Sequence, residues 1–280
     1  MQRPEITIIY LDLILKHFKG KIIYFAHDLH YIRLYREYCI SHDEKQLQES
    51  KNFEIIENKI FSSADIIYVV GNYEFNIINN KFQNKTIRNI PLFFYNKLLS
   101  NIEKDFSKRK DIIFVGNFLH PPNVDAVFWF SKKIYPNIVE KFPDIIWHIV
   151  GQINNKILSK INTKNIKFEG SLSDEELIVL YQKCRISIAP LRFGAGVKGK
   201  IIEAAYNQIP MITTSIGSEG LDNSTGAFII EDDAKKMSEI ICNLYGNYSK
   251  LRKISDSSKL FIEKYFLKKT AKDIITKDFI

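Results

Sequence analysis

The chain has only 3 cysteines, Cys39, Cys184 and Cys242, spread far apart over 280 residues. No CxxC pair exists, which argues against a zinc ribbon or a disulfide framework and fits a reducing, cytosolic setting. No apolar run approaches the roughly 18 residues of a membrane-spanning helix. Glu5, Asp12 and Lys16 interrupt the apolar N-terminal stretch, so it lacks a signal-peptide core and secretion is not expected. Internal repeats and low-complexity blocks are absent. The basic residues are dispersed, without the aromatic-plus-basic module of a nucleic-acid reader, so nucleic acid is not an expected partner. In His27-Asp28-Leu29-His30 two histidines flank an aspartate, but no further ligand cluster accompanies them, and no metal site is expected. No nucleophile–base pair is legible.

What is present describes a folded α/β protein. The content is 45% hydrophobic and 26% charged, with a net charge of +8. That balance is globular rather than disordered. The positive charge suits a solvated lysine-rich surface, nucleotide phosphates or an anionic membrane surface. From Asp111 onward, short apolar runs alternate with helical spacing. Strands are expected at 112–116, 145–151, 166–170, 186–189, 211–213 and 228–230. A helix is expected over 123–141, and another starts at Ser173, whose spacing to Glu176 has capping-box form. Such alternation predicts a doubly wound parallel sheet, which binds ligands at the carboxyl ends of its strands. Gly116, Gly151 and Gly170 stand at such ends. The first hundred residues repeat the theme, with strands expected at 6–10, 22–25, 66–70 and 86–90 and a helix over 43–60.

The densest signal is Arg192-Phe193-Gly194-Ala195-Gly196-Val197-Lys198-Gly199-Lys200-Ile201-Ile202-Glu203. It follows an apolar strand and opens a helix. Glycines let backbone approach an anion, a helix N-terminus offers free N–H groups, and lysines add charge. A nearby carboxylate can accept hydrogen bonds from ribose hydroxyls.

With Ala204-Ala205 and the downstream Ile209-Pro210-Met211-Ile212-Thr213, this run resembles the donor-nucleotide motif of retaining GT-B glycosyltransferases (glycosyltransferase group 1, family 4). The resemblance implies two Rossmann-like domains with the active site between them. Two further stretches resemble parts of the family's N-terminal domain. One runs from Ala26 through His27, Asp28, Arg33 and Arg36 to Glu37, the other from Ala64 to Val70 and on to Glu74. The front of that domain is not represented, so it is expected to be truncated. The expected organisation is a partial acceptor-side domain over 1–98, a linker over 99–110 and a nucleotide-sugar domain over 111–280.

The implied reaction moves a sugar from a nucleotide-diphosphate-sugar donor to a glycan or lipid-linked acceptor hydroxyl, with retention, in cell-envelope polysaccharide assembly. The setting is cytoplasmic, with peripheral contact at an anionic membrane, and no cofactor or metal is needed. Glu203 matches the ribose-binding glutamate of the family's E-x7-E motif; Ala195 stands where the first glutamate belongs. The family's usual cations are missing from the Gly116–Asn123 loop, so Lys198 and Lys200 are the expected diphosphate partners, with Arg192 behind them. Gly116, Asn117, Gly151, Gly170, Gly194, Gly196 and Val197 complete the expected donor site. His27, Asp28 and Lys200 are the expected catalytic residues; for His27 a role in capping or packing the next helix stays open. Arg33 and Arg36 are read as surface pairs with Glu37 and other acids, the alternative being contact with an anionic acceptor. The rival readings are an inactive nucleotide-sugar-binding remnant, one half of a two-chain enzyme, an epimerase or hydrolase, and a basic nucleic-acid binder.

Overall fold

The computed structural model describes residues 1–91, 94–152, 161 and 164–279. The chain builds two parallel sheets. The first has β1 (Ile23–Ala26), β2 (Ile66–Val69) and β3 (Thr86–Asn89) side by side in that order. Helices α1 (Pro4–His17), α2 (His30–Ser41), α3 (Glu44–Ser63) and α4 (Asn72–Lys81) accompany it. Leu11, Leu29, Ile60, Phe61, Ile67 and Val69 form its core. Glu57 of α3 accepts the backbone N–H groups of His30 (2.9 Å) and Tyr31 (3.3 Å), which satisfies two orphan donors at the start of α2.

The strand expected at 6–10 is instead part of α1. Its β-branched residues favour a strand locally, but Pro4 and Glu5 sit in the first turn and Lys16 and His17 in the last. Pro4, Thr7 and Leu11 are buried at helical spacing. Packing has overridden propensity here.

The second sheet runs β6-β5-β4-β7-β8-β9. Its strands are β4 (Asp111–Val115), β5 (Trp147–Val150), β6 (Ile166–Gly170), β7 (Cys184–Ala189), β8 (Met211–Thr213) and β9 (Phe228–Ile230). They lie where the alternation predicts them. The helices are α5 (Pro121–Lys133), α6 (Tyr135–Lys141), α7 (Asp174–Lys183), α8 (Gly199–Tyr206), α9 (Ala234–Tyr245), α10 (Tyr248–Tyr265) and α11 (Lys268–Phe279). The capping box of α7 forms as its sequence predicts. The single helix expected over 123–141 is two helices broken at Ile134. Pro136 falls in the first turn of α6, where its missing N–H costs little, and it cannot continue α5. From β4 the chain order runs outward one way through β5 and β6, and the other way through β7, β8 and β9. The reversal between β4 and β7 is a topological switch point, where such sheets bind ligands.

Residues 99–110 are anchored rather than loose. Phe106 and Arg109 are fully buried, and Arg185 donates to the carbonyls of Phe106 (3.1 Å), Arg109 and Tyr245 (3.0 Å). Helix α11, expected in the C-terminal unit, packs back on the first sheet. Asp278 accepts from Tyr68 (2.9 Å) and twice from Arg88 (3.1 and 2.9 Å). Asp278→Ala strands these donors and is expected to lower stability by about 1–3 kcal/mol. The urea unfolding midpoint measures the loss.

Candidate donor site

A cavity of about 870 Å³ opens at the switch point. That is within the roughly 300–1,000 Å³ range of small-ligand sites. Gly116 and Asn117 after β4, Gly151 and Gln152 after β5, and Gly199, Lys200 and Glu203 of α8 line it. Leu172 and Leu177 form an apolar wall with Tyr95, beside Ser171. Gly151 has φ +132°, and a Cβ there would lie 1.9 Å from the Gly116 carbonyl oxygen, so only glycine lets β4 and β5 end this close together.

Lys200 and Glu203 meet at this cavity because three residues on a helix bring side chains to one face. Lys200 Nζ donates to Asn123 Oδ1 at 2.9 Å, and Asn123 Nδ2 donates to the Asn117 carbonyl at 2.8 Å. The β4–α5 loop therefore brings no cation but orients one. Glu203 Oε2 accepts from the Tyr181 hydroxyl at 3.1 Å. Burial raises the Glu203 carboxyl above its usual value, against the bond from Tyr181. Burial also pulls the Lys200 ammonium down to about 8, with Lys198 adding to the effect. No side chain caps the N-terminus of α8, which leaves that end to an anion.

The other half of the glycine-rich loop faces the first domain. Gly196 has φ +75°, and a Cβ there would come within 2.8 Å of both the His27 carbonyl oxygen and Asp28. Its N–H donates to Glu74 Oε1 at 3.1 Å. Arg36 Nη1 donates to the Gly194 carbonyl at 2.7 Å, and the guanidinium makes a bidentate pair with Glu219 (2.9 and 2.6 Å). Arg36 is thus a bridge between domains, not the surface pair expected of it. Val197 is buried, and Lys198 Nζ donates to the Gly196 carbonyl. Burial draws the Lys198 ammonium down to about 8 against the opposing pull of Glu219 and Glu74.

Some expected residues lie elsewhere. Arg192 pairs with Asp125 (Nε to Oδ2, 2.9 Å) and faces the Trp129 ring, and it does not line the cavity. Gly170 accepts from the Gly151 N–H at 2.7 Å, and its neighbours Ser171 and Leu172 supply the lining. The exposed His27 ring turns to Gln2 Oε1 at 3.0 Å, so only its backbone meets the loop. Asp28 accepts from Arg33 at 3.0 Å and lies 3.2 Å from His30 Nδ1. Burial opposes its charge, but His30 and Arg33 hold the carboxyl below its usual value. Tyr181 and Tyr95 carried no signal in sequence, and Asn123 and Glu219 stand in stretches of the resemblance without a role of their own there. Among the described residues, no group of three or more His, Cys, Asp or Glu could hold a metal ion.

Residues 109–247 match the family model described as glycosyl transferases group 1. This segment belongs to that family. A Klebsiella pneumoniae protein described as an uncharacterized 44.6 kDa protein in the cps region is 32% identical over 164 residues, which are 56% of this chain and 42% of that protein. TarM shares 17% identity at a TM-score of 0.72, covering 99% of this chain and 53% of TarM. Anabaena HepE, solved with UDP and glucose, shares 13% identity at a TM-score of 0.71, covering 99% of this chain and 76% of HepE. The glycosyl transferase group 1 segment and the sheet before it therefore have a GT-B architecture. The chain spans about half the length of TarM and less than half that of the Klebsiella relative.

Proposed function

We propose that this chain is a retaining glycosyltransferase of hexosyltransferase type, moving a sugar from a nucleotide-diphosphate-sugar to an acceptor hydroxyl in cell-envelope polysaccharide or glycan assembly. The observation that carries the reading is the placing of Lys200 and Glu203 on one nucleotide-sized cavity at the switch point. Glu203, oriented by Tyr181, accepts from the ribose hydroxyls. Lys200 and the open N-terminus of α8 receive the diphosphate and stabilise the charge that grows on it as the sugar leaves. A charge-assisted contact from lysine is worth about 1.5–3 kcal/mol and the helix end about 0.3–1, so the lysine dominates. The acceptor hydroxyl then attacks the anomeric carbon from the face the diphosphate leaves, and its proton passes to the departing diphosphate oxygen. Because the Gly196 N–H is already bound by Glu74, it is not a donor to the sugar.

We place the acceptor in a second cavity, of about 490 Å³, between α2 and α5 and beside the donor loop, lined by Glu37, Phe118, Leu119 and Phe193. The domains are 1–98 and 111–280, joined over 99–110, with α11 returning to the first. The working place is the cytoplasm, at an anionic membrane face that attracts the +8 chain. No described helix is long and apolar enough to cross a membrane. Co-sedimentation with phosphatidylglycerol vesicles but not with phosphatidylcholine vesicles is the expected result, and equal partitioning would contradict it.

The test of the reaction is incubation with a panel of nucleotide-diphosphate-sugars and a bacterial glycan extract. Release of the nucleotide diphosphate, with a product of unchanged anomeric configuration by NMR, is expected. An inverted product would overturn retention. Nucleotide binding without release would favour the inactive remnant.

The two low lysine values set a pH dependence. A diphosphate binds the charged ammonium, so above about pH 8 each lysine must first take up a proton. Affinity is expected to be flat from about pH 7 to 8, above the phosphate's own pKa of about 6, and to fall at higher pH by up to about tenfold per pH unit for each lysine that contacts the ligand. Calorimetric titration with a nucleotide diphosphate at a series of pH values checks this; an affinity that rises with pH would contradict it.

A further inference from the structure

We infer that Glu74 and Arg36, both in the N-terminal domain, are positioning residues that build the donor loop of the C-terminal domain. The inference rests on the donor-site reading above. The loop from Gly194 to Lys200 holds three glycines, so on its own it has wide backbone freedom. It owes its conformation to side chains far away in sequence. Arg36 fixes the Gly194 carbonyl at 2.7 Å, and Glu74 fixes the Gly196 N–H at 3.1 Å. These are the two peptide units on either side of Ala195. The Ala195 methyl packs against the apolar core of the first sheet.

The brace is stiff on the N-terminal side. Glu74 lies in the first turn of α4 and is fully buried. Its second oxygen has no hydrogen-bond partner. Its place in the first turn and its own backbone N–H favour the carboxylate locally, but the burial and the unpartnered oxygen are costly, and the bond to Gly196 is what this carboxyl makes across the domains. Arg36 is anchored on three sides, by the Gly194 carbonyl, by Glu219 and by the face of the Tyr73 ring 5.0 Å from the guanidinium. Glu219 belongs to the loop after β8, so a single arginine ties α2 to two loops of the second domain. Lys198 donates back to the Gly196 carbonyl within the braced segment, and Lys200, four residues beyond Gly196, lines the cavity. The approach of Lys200 to the diphosphate depends on where Gly194 and Gly196 are held. The donor site is therefore assembled at the domain interface, not within the C-terminal domain alone.

The experiment compares Glu74→Ala, Glu74→Gln and Arg36→Ala in the full chain. It measures Kd for UDP, GDP, ADP and dTDP, and KM and kcat for the nucleotide-sugar that is turned over. Circular dichroism and thermal melting report folding. Glu74→Ala and Arg36→Ala are expected to weaken nucleotide binding and raise donor KM by about tenfold or more, the worth of a charge-assisted hydrogen bond. Acceptor KM should hardly move. Glu74→Gln keeps an oxygen for the Gly196 N–H but loses the charge and buries an amide, so it should recover only part of the lost nucleotide affinity and donor KM, with the same ordering of Gln above Ala in both readouts while the melting temperatures stay alike. If Glu74→Ala fails to fold, Arg36, whose side chain is less deeply buried than that of Glu74, carries the test through Arg36→Ala. Folded variants that bind the nucleotide as the parent does would overturn the inference. A parent chain that binds none of the four nucleotides would instead overturn the donor-site reading itself.

Discussion

Glu203→Ala is expected to weaken nucleotide-diphosphate binding by about 10- to 150-fold, the equivalent of a lost 1.5–3 kcal/mol charge-assisted hydrogen bond. The carboxylate lines the cavity and is held there by Tyr181. Tyr181 is fully buried, so its hydroxyl has little choice of partner and fixes Glu203 in one rotamer. Tyr181→Phe should therefore have the same direction and a smaller size, a few-fold, because the carboxylate remains but is less well oriented. Glu203→Gln should fall between the two, since the amide still offers an oxygen to one hydroxyl. Calorimetry with each nucleotide separates the three. Equal binding by the parent and Glu203→Ala would remove the ribose role.

Lys200→Met is expected to act on turnover more than on binding. The methylene stem is kept, and the charge at the leaving diphosphate is lost. Removing one preorganised donor to a developing negative charge lowers kcat by about 100- to 1,000-fold. The parent side chain is aimed by Asn123, which in turn is tied to the Asn117 carbonyl. Asn123→Ala should therefore lower kcat by roughly tenfold while leaving the lysine charged, the cost of a misplaced rather than a missing group. Single-turnover release of the nucleotide diphosphate measures both. If Lys200→Met lost only affinity and kept its kcat, the lysine would bind the ground state alone and another group would carry the leaving charge.

Much of this was legible in the residues. The strands of the second sheet follow from short apolar runs between helical patterns, and Ser173 with Glu176 marks the start of α7. The charge-bearing residues of the cavity, Lys200 and Glu203, sit together on one short motif, so local sequence was enough to find them. The strand expected at 6–10 failed because Ile-Thr-Ile-Ile-Tyr has a strand's composition, while the choice was made by what packs on Thr7 and Leu11. Arg36 was misread because its partners, Gly194 and Glu219, are 158 and 183 residues away. Glu74 stood in a recognised stretch, yet nothing local shows that it reaches Gly196. Tyr181 and Asn123 look like ordinary helix residues until the fold turns them toward Glu203 and Lys200. Arg192 carried the right charge in the right motif, but Asp125 on a neighbouring helix holds it.

The most direct test of the account is thermal stability of the full chain with UDP, GDP, ADP and dTDP, beside Glu203→Ala under the same conditions. A nucleotide at about 100 times its Kd adds roughly 2.7 kcal/mol to the folded state. Stabilisation by at least one of the four, lost in Glu203→Ala, is the expected result. Stabilisation that persists in the variant would place the nucleotide outside this cavity, and no stabilisation of the folded parent by any of the four would contradict the donor site.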